Sequence, residues 1–245
     1  MAKKQNTSNE RAARAAAALA AQQKAEKRRN LITVVSVVAV LVLVIGGVYV
    51  YLTNLDDPAD VAAAGAGEGT YGVTIGDDDA PHSLVIYEDF LCPYCGEFES
   101  ATRTKLEKAA NAGNVQIEYR PFNLLSSISD YSERSASAFF VVLDKEGPTV
   151  AKKFHDILYE NQPSEDSETF PDNQQLLDWA VEAGADEDTV SDGILNESKK
   201  AFVAKATTAA TDAGVQGTPT VILDGEQVSG SSVDDIAQTV IDTVS

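Results

Sequence analysis

The sequence predicts an α/β domain whose sheet is interrupted by a block of helices, preceded by a single N-terminal transmembrane helix. Three observations carry that expectation. Between Tyr71 and Tyr119 two apolar runs flank a helical stretch with the spacing of a strand–helix–strand unit, which implies parallel strands. From Asp130 to Ala213 no strand signal appears and helical periodicity dominates, after which a β pattern returns. Leu31 to Leu52 is a run of 22 residues without a charge, about 33 Å of helix and enough to cross a hydrocarbon core of ~30 Å.

The charge distribution separates the two ends of the chain. The net charge is −19, yet residues 1–30 carry eight Lys/Arg against Glu10 and Glu26, a net +6 that leaves −25 for residues 31–245. Residues 7–30 are Ala-rich, with the capping-box pattern Thr7-Ser8-Asn9-Glu10 and a basic cluster at Lys24, Lys27, Arg28 and Arg29, and they predict a basic helical segment. Nucleic-acid binding is disfavoured, since this segment holds no aromatic residue and the remainder is acidic. Basic residues before the apolar run place the N-terminus in the cytoplasm, and Tyr49 and Tyr51 stand where interfacial aromatics belong. A cleaved signal peptide competes through Ala62-Ala63-Ala64, but the apolar run exceeds an ordinary h-region. Residues 53–70 have no apolar periodicity and read as a flexible linker, so the folded domain is expected over 71–245 on the extracytoplasmic side.

Within that domain the elements follow in order. A first strand over 71–75 ends at Gly76, and the turn Asp77-Asp78-Asp79-Ala80-Pro81 leads to a buried strand at Leu84-Val85-Ile86-Tyr87. Calcium is rejected for this turn: Asp77, Asp79 and Glu88 match loop positions, but His82 stands where glycine is required. A helix is expected from Cys92 to about Ala110, with Phe98, Leu106 and Ala109 inward, then a strand at 115–119. The helical insertion, about 130–213, shows apolar faces over 135–144, 149–160, 174–183 and 199–212, with Phe139, Phe140, Phe154, Leu158, Trp179 and Phe202 among them. His155 is expected on a helix surface or half-buried rather than as a catalytic base. Strand signal resumes over 214–223, Asp224-Gly225 predicts a hairpin to a strand around Gln227-Val228, and a last helix spans 233–244.

Cys92 and Cys95, the chain's two cysteines, lie in Phe90-Leu91-Cys92-Pro93-Tyr94-Cys95. If a helix starts at Cys92, Pro93 takes the first helical position, where its missing N–H costs nothing, and one turn brings the sulfurs within disulfide reach. The free N–H groups and dipole of such a helix stabilise a thiolate at Cys92, while Cys95 lies further in. A structural disulfide closing so short a loop would stabilise poorly. Zinc would need His82 and His155, neither of which is spaced as a ligand. A redox-active dithiol remains.

The order strand, Asp89-Phe90-Leu91-Cys92-Pro93-Tyr94-Cys95 on a helix, strand, helical insertion, Gly217-Thr218-Pro219-Thr220, hairpin and helix resembles the DsbA-like branch of the thioredoxin superfamily over roughly residues 70–245. The resemblance implies a thioredoxin-like fold with a helical insertion and a thiol-disulfide oxidoreductase working through a C-P-Y-C dithiol. Cys92 would be the exposed nucleophile, Cys95 its resolving partner, and Thr218-Pro219 a cis peptide bond beside them. Thr218, Pro219, Pro93 and Tyr94 would contact substrate, the Thr218 backbone pairing with an extended peptide. Neither cofactor nor metal is implied. The partners implied are exported proteins with free cysteines and a membrane redox partner that reoxidises or reduces the dithiol, at the cell membrane of a Gram-positive bacterium. Tyr94 stands where many strong oxidases of this family have histidine, and Ile86 where they have an acidic residue six before the first cysteine. Oxidation of exported thiols is the expected direction; a reductase or isomerase of the same fold and an anchored thioredoxin-fold chaperone remain as alternatives.

Overall fold

The computed structural model of the protein describes residues 71–245. The basic segment, the apolar run and the linker expected over 1–70 lie outside these residues, and among those described no helix is long and apolar enough to cross a membrane.

Five strands form one sheet in the order β1-β3-β2-β4-β5. They are β1 (Val73–Ile75), β2 (His82–Glu88), β3 (Val115–Pro121), β4 (Thr220–Leu223) and β5 (Glu226–Gln227). Strand β2 runs parallel to β3, with Ile86 opposite Tyr119, and antiparallel to β4, with Tyr87 opposite Thr220. Because β2 is central, its side chains are covered on both faces, which is why Leu84 through Tyr87 are apolar without alternation. The parallel pair is joined by α1 (Pro93–Asn111), whose buried face includes the expected Phe98, Leu106 and Ala109. It packs against the last helix, α7 (Val233–Val244).

The insertion comprises α2 (Tyr131–Glu146), α3 (Pro148–Glu160), α4 (Asn173–Glu182), α5 (Glu187–Leu195) and α6 (Lys200–Asp212). Phe139, Phe140, Phe154 and Leu158 are buried as expected, whereas Trp179 and Phe202 are partly covered at the edge of the core. Helix α5 is not among the four blocks read from periodicity: it buries Val190 and Ile194 alone, too short an apolar stripe to stand out. Asp186, whose side chain accepts from the Asp188 N–H, starts it.

Two boundaries differ from expectation. The β segment expected from Gly214 begins at Thr220, because Gly214 adopts φ +82° and closes α6, with the Val215 N–H bonded back to the Ala210 carbonyl. Strand β1 begins at Val73 rather than Tyr71. The Asp224-Gly225 hairpin is present, with both residues at positive φ, 53° and 85°.

Candidate functional site

The C-terminal end of β2 delivers the chain to a turn built on Asp89. Its Oδ1 accepts the Leu91 N–H at 2.8 Å and its carbonyl accepts the Cys92 N–H at 2.9 Å. This turn sets Cys92 in extended backbone as the N-cap of α1, with Pro93 following in the first turn. Across the sheet the chain approaches β4 through Thr218-Pro219, whose peptide bond is cis. The Cys92 thiol donates to the Thr218 carbonyl at 3.3 Å. The structure thus brings together Cys92, Cys95 and Thr218, from segments more than a hundred residues apart.

Cys92 is not the exposed nucleophile anticipated. Its relative exposure is 5%, because the Thr218 backbone lies against its sulfur. The exposed residues of the motif are Pro93 and Tyr94, the latter 60% accessible. Cys95 is buried, and both cysteines are free thiols.

The two sulfurs differ sharply in electrostatics. The hydrogen bond from the Cys95 thiol is the main influence lowering the Cys92 pKa from 9.0 to about 6; burial opposes it, and the Thr218 side chain and the N–H groups of Cys95 and Tyr94 add to the lowering. The buried Thr218 hydroxyl makes no hydrogen bond among the described residues. Burial pushes the Cys95 thiol well up, aided by Cys92 and by the Glu88 carboxylate. An acidic thiol at the mouth of the helix and a reluctant one behind it allow one sulfur to leave or attack as thiolate while the other keeps its proton.

Beneath Cys95 lies a group of charges that sequence reasoning did not assemble. Glu88 ends β2, Glu99 lies one turn beyond Cys95 on the same side of α1, and His155 comes from α3. All three are buried. His155 was expected at a surface or half-buried, but it has 0% exposure. Its Nε2 lies 2.7 Å from Glu88 Oε1 and its Nδ1 3.2 Å from Asp156 Oδ1. Burial works against its charge, but Glu88 and Asp156 outweigh that and raise its pKa to about 9. Burial lifts Glu99 to about 7, with His155 pulling it down and Glu88 pushing it up. Glu88, Glu99 and His155 offer donor atoms within 4.8 Å of one another, close enough to ask whether they hold a cation. Both imidazole nitrogens are already engaged, however, and Lys152 at 2.6 Å and Arg103 at 3.5 Å from Asp156 supply further positive charge. The donors fit a charge-balanced ion-pair network better than a metal centre.

The Asp89 carboxylate also organises the loop after β3. Its Oδ2 accepts the N–H groups of Leu124 and Leu125, at 2.8 and 2.9 Å, and the Ser132 hydroxyl at 2.5 Å. Of the two adjacent acids, Glu88 therefore serves the buried network and Asp89 serves the backbone.

The family model described as Thioredoxin matches residues 68–243. A probable disulfide bond formation protein D of Bacillus cereus is 28% identical over 155 residues, 62% of this chain and 69% of that one. The crystal structure of reduced DsbA from Mycobacterium tuberculosis superposes with a TM-score of 0.58 at 28% identity, covering 71% of this chain and 97% of the other. The serine/threonine-protein kinase PknE of Mycobacterium tuberculosis is 27% identical over 125 residues, 49% of this chain. The chain spans only 22% of PknE's length.

Proposed function

The chain belongs to the thioredoxin family, and on that premise we propose that it is an extracytoplasmic thiol-disulfide oxidoreductase that oxidises cysteine pairs of exported proteins. In the oxidised enzyme a substrate thiolate attacks the Cys92 sulfur. A substrate–Cys92 disulfide forms, the Cys92–Cys95 bond breaks, and Cys95 leaves as a thiolate that takes up a proton. A second substrate thiolate then attacks the substrate sulfur of the mixed disulfide and expels Cys92. Substrate loses two electrons as its disulfide forms, and the enzyme keeps them as a dithiol. Pro93 and Tyr94, exposed next to Cys92, and Thr218-Pro219, whose Thr218 carbonyl lies 3.3 Å from its sulfur, would form the peptide-contact surface.

The observation that carries this reading is the asymmetry of the two thiols. A Cys92 pKa near 6 makes it a good leaving group and stabilises the reduced enzyme, which favours oxidation of substrate. The reading also takes residues 1–30 as cytoplasmic, 31–52 as the membrane span and 53–70 as the tether. It requires a membrane redox partner that accepts the two electrons and restores the disulfide. The test is an equilibrium titration of the dithiol against glutathione, together with oxidation of a reduced cysteine-containing protein. Wild type should oxidise the substrate and Cys92→Ser should not. A potential below that of the glutathione pool would reverse the direction to reduction, and activity retained in Cys92→Ser would set the dithiol aside.

A further inference from the structure

Gln162 stands just past the end of α3, in the insertion, and reaches into the turn that carries the dithiol. Its Nε2 donates to the Phe90 carbonyl at 3.0 Å and to the Cys92 carbonyl at 2.9 Å. With both amide hydrogens given to these carbonyls, Oε1 faces Gly96. A Cβ on Gly96 would collide with that oxygen and lie 3.1 Å from the amide carbon. Gly96 has no positive φ to justify it, and glycine in a first helical turn costs stability relative to alanine. Access for the Gln162 amide accounts for its presence.

We infer that Gln162 is a positioning residue for the Cys92 thiolate, through which the helical insertion is fastened to the reacting turn. The Cys92 carbonyl accepts from Cys95 N at 3.1 Å and Gly96 N at 3.2 Å as well as from Gln162. The same Cys95 N–H favours the Cys92 thiolate. A third donor, supplied from outside the helix, shares the Cys92 carbonyl with the Cys95 and Gly96 N–H groups, so the Cys95 N–H is less fully committed to that oxygen and also favours the sulfur. Tyr159 of the same helix acts one step upstream, its hydroxyl 3.4 Å from the Asp89 carbonyl. The insertion therefore grips the segment 89–92 at three carbonyl oxygens.

This inference rests on Cys92 being the reacting thiol, and the experiment separates the two. Alkylation of the reduced protein by iodoacetamide is followed at each cysteine against pH, with thermal stability recorded in parallel. Gln162→Ala should slow Cys92 roughly fivefold below neutral pH, the factor expected from loss of about one hydrogen bond, and move its titration to higher pH. Gln162→Glu, which cannot donate when ionised, should slow it further. Gly96→Ala should reproduce the effect of Gln162→Ala, and the double variant should be no slower than either single one. A Cys92 that is not the faster thiol in wild type would remove the premise. A fast wild-type Cys92 with unchanged rates and titration in the Gln162 variants, or additive effects of the two substitutions, would overturn the role of Gln162. A change in melting temperature alone would reduce it to a packing contact.

Discussion

At the scale of single residues, the chemistry depends on two sulfurs one helical turn apart with opposite acidities. Cys92 should exist as thiolate above pH 6, so its alkylation should show a midpoint near that value and outpace Cys95 throughout the neutral range. A mass-resolved pH series checks both statements, and preferential modification of Cys95 would contradict the order of the two. The same shift makes a stability prediction. A thiol whose folded pKa is lowered contributes stability that is complete above its unfolded value of 9.0 and is lost as pH falls through about 6. The disulfide form has no such group. The stability of the reduced protein relative to the oxidised one should therefore rise between pH 6 and 9, as chemical denaturation of the two forms would show. The buried network acts in the opposite sense. Glu99 keeps its proton to about pH 7 when folded, against 4.5 when unfolded, so folding loses stability as pH rises through that interval. His155, raised from 6.5 to about 9, gives stability that is full below 6.5 and lost as pH rises through 9. Glu99→Gln should abolish the decline between pH 4.5 and 7 and leave the one above it. An unchanged profile would mean that Glu99 is already ionised in that range.

At the scale of elements, Asp89 ties together the end of β2, the start of α1 and the loop after β3. Asp89→Ala would leave three main-chain N–H groups and the Ser132 hydroxyl without this acceptor. Unsatisfied buried donors cost about 1–3 kcal/mol each, so a loss of at least 3 kcal/mol in urea denaturation is expected, and a loss below 1 would show that water replaces the carboxylate. The sequence made the elements around this residue legible to different degrees. The dithiol helix, the parallel strands and the Asp224-Gly225 hairpin are specified by local signals: a proline at the first helical position, continuous apolar runs, and two residues suited to positive φ. Helix α5 was not legible because two buried residues make no stripe. The role of Gln162 was hidden for another reason, since a glutamine before Pro163 reads only as a loop residue until α3 is seen to end beside Cys92.

At the scale of the whole molecule, long-range placement divides what could be read from what could not. Cys92 and Thr218 were associated through the resemblance of the complete element order, not through any local pattern. The Glu88–His155 pair had no such guide: an isolated histidine between Phe154 and Asp156 carries no sign that a strand carboxylate will meet it. Residues 1–70 bear the remaining proposal, which composition alone supports. Eight basic residues precede 22 uncharged ones, and an acidic domain follows. The cost of moving charge across a bilayer orients such a segment with its basic end in the cytoplasm. Residues 53–70, without apolar periodicity, complete the proposal as the tether between that segment and the domain. Alkaline extraction should therefore leave the full chain in the membrane fraction, and protease added to intact protoplasts should release a fragment containing both cysteines. Reporter fusions after residue 70 should be active only on the outer side. Cytoplasmic activity of that fusion would invert the topology, and a mature protein beginning near Ala64 would replace the anchor with secretion, freeing the dithiol from the membrane and removing the reason for a tether.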